Sequence, residues 1–259
     1  MIRLEDVVIE APQPTRPRLL DGVTLEIRSD EYIVLCGPNG SGKSLLLKVL
    51  AGLLRPRGGV RIGPPAVGFL FQNPDDQIVG STVARDVAFG LENEGVALPE
   101  MRVRVDGALA DFALNGLATR APHLLSDGEK QRLALASSHV LAPPLLLLDE
   151  PSARLDPLAR TESQLRILEA RRRGTTVVVA THRSEEIVIA DRVIGLRDGR
   201  LVFDGTPDAL VDSPEADALG ILWTDLHRLW RELRRLGRGD PAGLAWNDTR
   251  PLLAGLAAS

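Results

Sequence analysis

Apolar positions set the frame of this chain. Arg3–Ile9 and Val23–Ile27 alternate as strands buried on one face do, and the proline-rich stretch Pro12-Gln13-Pro14-Thr15-Arg16-Pro17 separates them as a loop. Tyr32-Ile33-Val34-Leu35-Cys36 is an unbroken apolar run stopped by Gly37-Pro38, which predicts a parallel strand buried on both faces. Lys43–Leu54 carries apolar residues at helical spacing up to Arg55-Pro56, a helix stop. Ala66–Phe71 reads as a further buried strand, and the stretch from about Asp75 to Pro143 is mainly helical, broken at Gly95–Pro99 and Gly116–Pro122. Leu145–Leu148 fits helix or strand by periodicity alone. Pro143-Pro144 before it and Pro151 after it leave room only for a strand. The arginine-rich segment Leu158–Arg173 predicts a helix, and the β-branched run Thr175–Ala180 a strand. Val193–Leu196 and Arg200–Phe203 flank Asp198-Gly199, a hairpin turn signal. This succession predicts an α/β fold with a mostly helical insert.

Composition narrows the classes without changing that picture. With 259 residues, 44% hydrophobic and 25% charged, the chain is long enough for a large core. A net charge of -4 argues against general nucleic-acid binding, which calls for a basic surface. The single cysteine, Cys36, excludes an internal disulfide, and its apolar neighbours predict an inert buried thiol. No signal peptide is apparent at Met1–Asp6, and no apolar run approaches the roughly 20 residues of a membrane span. Work at a membrane would therefore require docking on other subunits. Only Lys43, Lys48 and Lys130 occur among many arginines, and Lys43 has a plain reason to be lysine: a compact ammonium fits a phosphate cradle better than a planar guanidinium.

The chemistry starts at Gly37-Pro38-Asn39-Gly40-Ser41-Gly42-Lys43-Ser44, which follows a predicted strand and opens a predicted helix, as a phosphate-binding loop must. The glycines let backbone N–H groups converge on phosphates and the helix N-terminus adds partial positive charge. Lys43 is expected to neutralise the β- and γ-phosphates and the Ser44 hydroxyl to ligate Mg²⁺. Leu145–Leu148 ends in Asp149-Glu150, which puts one carboxylate near the metal and the other near an attacking water.

Leu125-Ser126-Asp127-Gly128-Glu129-Lys130-Gln131-Arg132, lying between those motifs, is similar to the signature sequence of ABC ATPases. Gln72 matches their Q-loop, Thr181-His182 their His switch, and Leu155-Asp156 their D-loop, in the family's order across about residues 1–206. The resemblance implies a P-loop NTPase: a RecA-like core, an N-terminal antiparallel β subdomain and a helical signature subdomain at about 75–143. A helical C-terminal extension, 207–259, follows. It implies ATP and Mg²⁺ as ligands, with Gln72 at nucleotide and metal beside Ser44 and Asp149. Glu150 would polarise the water and His182 would sense the γ-phosphate. Two ATPase subunits, identical or not, would face each other, with Ser126 and Gly128 presented to the nucleotide bound on the partner.

Four features depart from that pattern. Asp127 and Glu129 replace the usual glycine and glutamine, Ala153 replaces the D-loop serine, and Ala11 or Pro12 falls where an adenine-stacking aromatic is usual. A carboxylate at Asp127 would repel the partner's γ-phosphate, and weak base stacking puts the choice of ATP over GTP in question.

Phe71-Gln72-Asn73-Pro74-Asp75-Asp76-Gln77-Ile78-Val79, with Thr82-Val83 and Asp86–Gly90, closely resembles energy-coupling-factor importers and their cobalt/nickel relatives. That resemblance implies uptake of a vitamin or transition-metal ion through integral membrane subunits contacted by Gln72–Gly90, at the cytoplasmic face of the membrane. Ile78, Val79, Val83 and Phe89 beside acidic residues suit a basic amphipathic partner helix. In the tail, Leu219, Leu222, Leu226, Leu229, Trp230, Leu233 and Leu236 predict one apolar stripe with Arg228, Arg231, Arg234, Arg235 and Arg238 elsewhere on the helix. Such extensions suit packing on the core or the partner ATPase, or a membrane surface. Competing readings are a soluble non-transport ABC ATPase and a slow regulatory ATP-binding partner in a heterodimer.

Overall fold

A computed structural model describes residues 1–11, 17–63 and 67–235. In chain order the elements are β1 (Ile2–Glu10), β2 (Arg18–Ile27), β3 (Tyr32–Cys36), α1 (Lys43–Leu50), β4 (Gly58–Ile62), β5 (Gly68–Leu70), α2 (Val83–Asn93), α3 (Leu98–Asp111), α4 (Asp127–His139) and β6 (Leu145–Asp149). There follow α5 (Pro157–Arg172), β7 (Thr176–Ala180), α6 (Ser184–Ile187), β8 (Arg192–Arg197), β9 (Arg200–Gly205), α7 (Pro207–Asp212), α8 (Glu215–Ala218) and α9 (Asp225–Arg235). They fall into two compact units, one of 1–65 with 178–259 and one of 66–177.

In the first unit, β1 is the middle strand of an antiparallel sheet ordered β2-β1-β4. It buries Ile2 and Leu4, then Val7 and Ile9: the period of two holds on either side of a register shift between Leu4 and Val7, where Asp6 takes φ 48°. β3 is buried at every position and pairs in parallel with β8, Ile33 opposite Arg192 and Cys36 opposite Gly195. β8 and β9 form the expected hairpin, with Asp198 at φ 50° and Gly199 at φ 75°, the paired left-handed geometry of a two-residue turn. Because β3 ends at Cys36 and α1 begins at Lys43, the glycine-rich loop spans a strand-to-helix junction. An added Cβ on Gly37 would lie 2.1 Å from the Leu196 carbonyl oxygen, so the close approach of β3 to β8 leaves no room for a side chain there. Gly37→Ala is therefore expected to destabilise the fold by about 3 kcal/mol, read as a drop in the thermal midpoint. An unchanged midpoint would contradict this packing.

Helix α1 stops four residues short of the predicted Leu54. Gly52 takes φ 73° just past its end and the Arg61 Nε donates to the Leu50 carbonyl at 2.9 Å, so a left-handed glycine and a cationic cap end it. β4, whose residues are half-buried or exposed, lacks the apolar pattern that would announce it.

The second unit pairs β5 in parallel with β6, Gly68 opposite Leu146 and Leu70 opposite Leu148. The predicted strand Ala66–Phe71 shortens to Gly68–Leu70, with Ala66 outside the described residues. Leu145–Leu148 is a strand and fully buried. Each such leucine contributes about 1.5–3 kcal/mol of burial, which fixes the strand end where Asp149 and Glu150 emerge. The helical insert holds α2, α3 and α4. Pro99 sits in the first turn of α3 rather than in a break before it, where a missing N–H costs nothing.

The tail corrects the expected stripe. Leu219 is buried and Leu222 is exposed, but both precede α9. Among the described side chains of α9, His227 and Arg231 are buried while Leu229 is exposed. The Arg231 guanidinium lies over the Trp223 ring, its Cζ 4.6 Å from the centroid, and its Nη2 reaches Asp217 at 2.8 Å, so the cation is both stacked and paired. The side chains of Leu226, Trp230, Leu233, Arg234 and Arg235, and all of Leu236 and Arg238, lie outside the described residues. Among the described residues no helix is long and apolar enough to cross a membrane.

Candidate functional site

The expected site residues fall in both units, and each group is built by its own surroundings. In the first unit the Gly37–Ser44 loop turns directly from β3 into α1. Gly42, at φ 104°, is the N-cap of α1 and offers no side chain, so no side-chain cap occupies the first turn. Amides at such a terminus are the donors that anionic phosphates use. The Ser41 amide donates to the Pro38 carbonyl at 3.1 Å, closing the loop, and the buried Ser41 hydroxyl has no hydrogen-bond partner among the described residues. Gly40 has open space where a Cβ would sit. Lys43 is buried, and its Nζ donates to the carbonyls of Gly37 at 2.7 Å and Pro38 at 3.2 Å, so the ammonium lies inside the loop. Asn39 is exposed, and Pro38 and Ser44 are half-buried.

Behind Lys43, burial pushes the Cys36 thiol up to about 12, only partly offset by the nearby ammonium. The thiol therefore stays protonated and shielded, as expected of an inert core cysteine. Alkylating reagent at pH 8 should leave Cys36 unmodified in the native protein and label it after denaturation. Native-state labelling, read by mass spectrometry, would contradict its place in the core.

His182 lies in the same unit, half-buried just beyond β7. The chain on either side of it is tied down. The Thr181 amide donates to the Leu35 carbonyl at 3.1 Å and the Leu222 amide to the His182 carbonyl at 2.7 Å.

The second unit carries the carboxylates. Asp149 ends β6 and Glu150 follows it, 3% and 8% exposed. Glu150 takes φ 51°, a left-handed conformation that costs energy in any residue carrying a Cβ. Held strain of that kind concentrates where a side chain must be aimed. Gln72 is exposed two residues past β5. The segment after it is pinned by Gln77, whose Oε1 accepts from the Phe71 amide at 2.8 Å and whose amide donates to the Ala134 carbonyl at 3.2 Å.

Ser126 is the N-cap of α4. Its hydroxyl accepts from the Glu129 amide at 3.3 Å, and the Glu129 carboxylate accepts from the Ser126 amide at 2.7 Å. This capping box supplies a local role for Glu129, one of the expected departures. The Ser126 amide holds the Glu129 carboxyl below the usual carboxylate range, and the Ala159 amide does the same for Asp156, the N-cap of α5. With both values lowered, each cap is intact above the ordinary carboxylate range and is lost as pH falls through the lowered value. Gly128 is half-buried beside Ser126, 3.5 Å from the Arg154 carbonyl oxygen at its notional Cβ. Ala153 is exposed and presents no hydroxyl. Ala11 is half-buried, and Pro12 lies outside the described residues.

The Gln72–Gly90 surface is corrected at two positions. Val83 is fully buried as the first residue of α2, so it belongs to the core. Asp86 is also buried, accepting from the Val79 and Gly80 amides at 2.8 Å each and from the Ser137 hydroxyl at 2.9 Å. Periodicity gave no sign that Asp86 holds a loop rather than faces a partner. Val79 and Phe89 are 62% and 47% exposed, Ile78 is half-buried, and Asp75 pairs with Lys130 at 2.8 Å. Sequence reasoning also passed over Arg154, whose Nη1 lies 3.7 Å from Asp127 and whose Nη2 donates to Asn73 at 3.1 Å. The signal was available: a cation in the loop after β6 and an unusual carboxylate in the signature.

Residues 20–153 match the ABC transporter family. The chain is 42% identical over 222 residues to the energy-coupling factor transporter ATP-binding protein of Symbiobacterium thermophilum, covering 80% of this chain and 77% of that relative. A protein of the same name from Clostridium perfringens is 36% identical over 256 residues, 92% of this chain and 91% of the relative. Among solved structures, cbiO1 from Clostridium perfringens, part of the ABC transporter complex cbiONQ, aligns with TM-score 0.71 and 28% identity over 91% of this chain and 96% of that one. A dimeric ATP-binding cassette in a post-hydrolysis state, bound to ADP and Pi, aligns with TM-score 0.75 and 26% identity over 80% and 99%.

Proposed function

The chain belongs to the ABC transporter family, with the P-loop NTPase fold of its ATP-binding subunits, and from that footing we propose that it is the ATPase of an energy-coupling-factor importer. It binds and hydrolyses ATP, pairs with a second ATPase subunit and drives integral membrane subunits that carry the solute. The ATPase domain spans about 1–206, with its helical part at about 75–143, and 207–259 extends it. The Asp149–Glu150 pair carries the step from holding a nucleotide to cleaving it, because its buried and strained placement aims a base rather than solvating a turn.

In this reading the Gly37–Ser44 amides and Lys43 cradle the phosphates. Glu150 takes the proton of the attacking water, and His182 contacts the γ-phosphate. Ser44, Asp149 and Gln72 are hard oxygen donors of the kind Mg²⁺ accepts. Because Mg²⁺ characteristically keeps several waters, these few side chains would suffice to hold it without a dedicated protein cage. When bound, it would offset phosphate charge. Ser126 and Gly128 serve the nucleotide bound on the partner. Val79, Phe89 and Ile78 form the apolar part of the membrane-subunit surface, at the cytoplasmic face. The sequence similarity to energy-coupling factor ATP-binding proteins favours an importer over a soluble ABC enzyme. ATPase activity of this chain alone and with the membrane subunits should show Mg²⁺-dependent turnover stimulated by them. Full, unstimulated activity in their presence would favour the soluble reading.

A further inference from the structure

Two unusual charges of the second unit meet. Asp127 is the first residue of α4, between the two signature residues Ser126 and Gly128, and its side chain is 72% exposed. Its neighbours on α4 are already spent, since Glu129 closes the capping box and Lys130 pairs with Asp75. Among the described residues, Asp127 is ion-paired with Arg154, in the loop that follows Glu150. Its Nη1 lies 3.7 Å from Asp127, while its Nη2 is steadied by the Asn73 side-chain oxygen at 3.1 Å. The same loop is fastened to α4 a second time, where the buried Gln131 side chain donates to the Pro151 carbonyl at 2.9 Å. The guanidinium is therefore held from Asn73 on one side while the loop that carries it is anchored on α4.

We propose that Arg154 is a positioning residue that neutralises Asp127, so that the Ser126–Gly128 segment accepts the γ-phosphate of a nucleotide bound to the partner ATPase. The proposal rests on the reading of that segment as the partner-facing signature. Its physics is a change of medium. In the free chain the pair is exposed, screened and of little consequence for stability. When two ATPases close on ATP and water leaves, an uncompensated carboxylate beside the phosphate donors repels a polyanion strongly, and a carboxylate already paired with a guanidinium does not. Arg154 would then be silent in folding and decisive in association.

The test uses the full chain carrying Glu150→Gln, so that bound ATP persists. The ATP concentration for half-maximal pairing with its ATPase partner, whether a second copy or a distinct subunit, is measured by size-exclusion light scattering. Arg154→Ala is expected to raise it roughly tenfold or more with an unchanged thermal midpoint, and Arg154→Lys to restore most of the loss. Asp127→Gly combined with Arg154→Ala should return to the parent value. An unchanged value in Arg154→Ala, or an equal loss when Asp127 is already glycine, would overturn the proposal. Absence of any ATP-dependent pairing in the parent would instead overturn the partner-facing reading, and the proposal with it.

Discussion

Replacing Glu150 by glutamine is expected to leave ATP affinity nearly unchanged while lowering turnover by about 10²–10⁴-fold, the range that general-base catalysis supplies. The substitution keeps the size and shape of the side chain and one acceptor oxygen, exchanges the other oxygen for an NH2 donor, and removes the charge that accepts a proton. The left-handed backbone at Glu150, φ 51°, is set by the turn out of β6 and would hold glutamine in the same direction. Phosphate release under saturating ATP, beside equilibrium binding of a fluorescent nucleotide, separates the two effects. Near-normal steady-state hydrolysis would remove Glu150 from the chemistry and with it the assignment of the strand end.

Lys43→Ala should act on the other half of the cycle. The ammonium is buried and already desolvated, donating to the Gly37 and Pro38 carbonyls. A phosphate chain would meet a charge that water no longer screens. Losing one member of such a pair costs about 2–5 kcal/mol, upward of about thirtyfold in Kd. Because Lys43 also clasps its own loop, the thermal midpoint belongs beside the titration. A variant that keeps its midpoint and loses binding reports the phosphate contact. Unaltered nucleotide affinity would show that the loop holds phosphate by its amides alone. Lys43→Arg is expected to be nearly as weak, since a planar fork does not fit a cradle closed by Gly37 and Pro38 carbonyls.

These outcomes depend on features legible in the sequence to different degrees. Runs such as Tyr32–Cys36 and Leu145–Leu148 were legible because full burial on both faces leaves no polar position, and prolines marked their ends. Asp198-Gly199 was legible because only a few residue types tolerate its two left-handed conformations. The end of α1 was not, because Leu53 and Leu54 continue the helical spacing after Gly52 has already turned the chain. β4 was missed because, after Gly58-Gly59, only Val60 and Ile62 mark an apolar face, and both are exposed. In the site, residue types and order announced Gly37–Ser44, Gln72, Ser126, Gly128, Asp149, Glu150 and His182, but not the company each keeps. Asp86 looked like surface charge and is a buried acceptor of three bonds, and Val83 looked like a partner contact and is core. Arg231 looked like the solvated face of a helix and is buried against Trp223. Each of these is a tertiary partner far along the chain or across an element, which periodicity does not encode.

Asp127 departs from the usual signature, and the structure sets Arg154 3.7 Å from it, a neighbour that the order of motifs did not announce.

Purification from membranes tests the central claim most directly. An affinity-tagged chain, extracted from its native membranes in mild detergent, should bring down integral membrane subunits in a complex that hydrolyses Mg-ATP and loses that activity in the Glu150→Gln variant. Recovery of the chain as a fully active ATPase, from the soluble fraction and with no membrane protein bound, would contradict it.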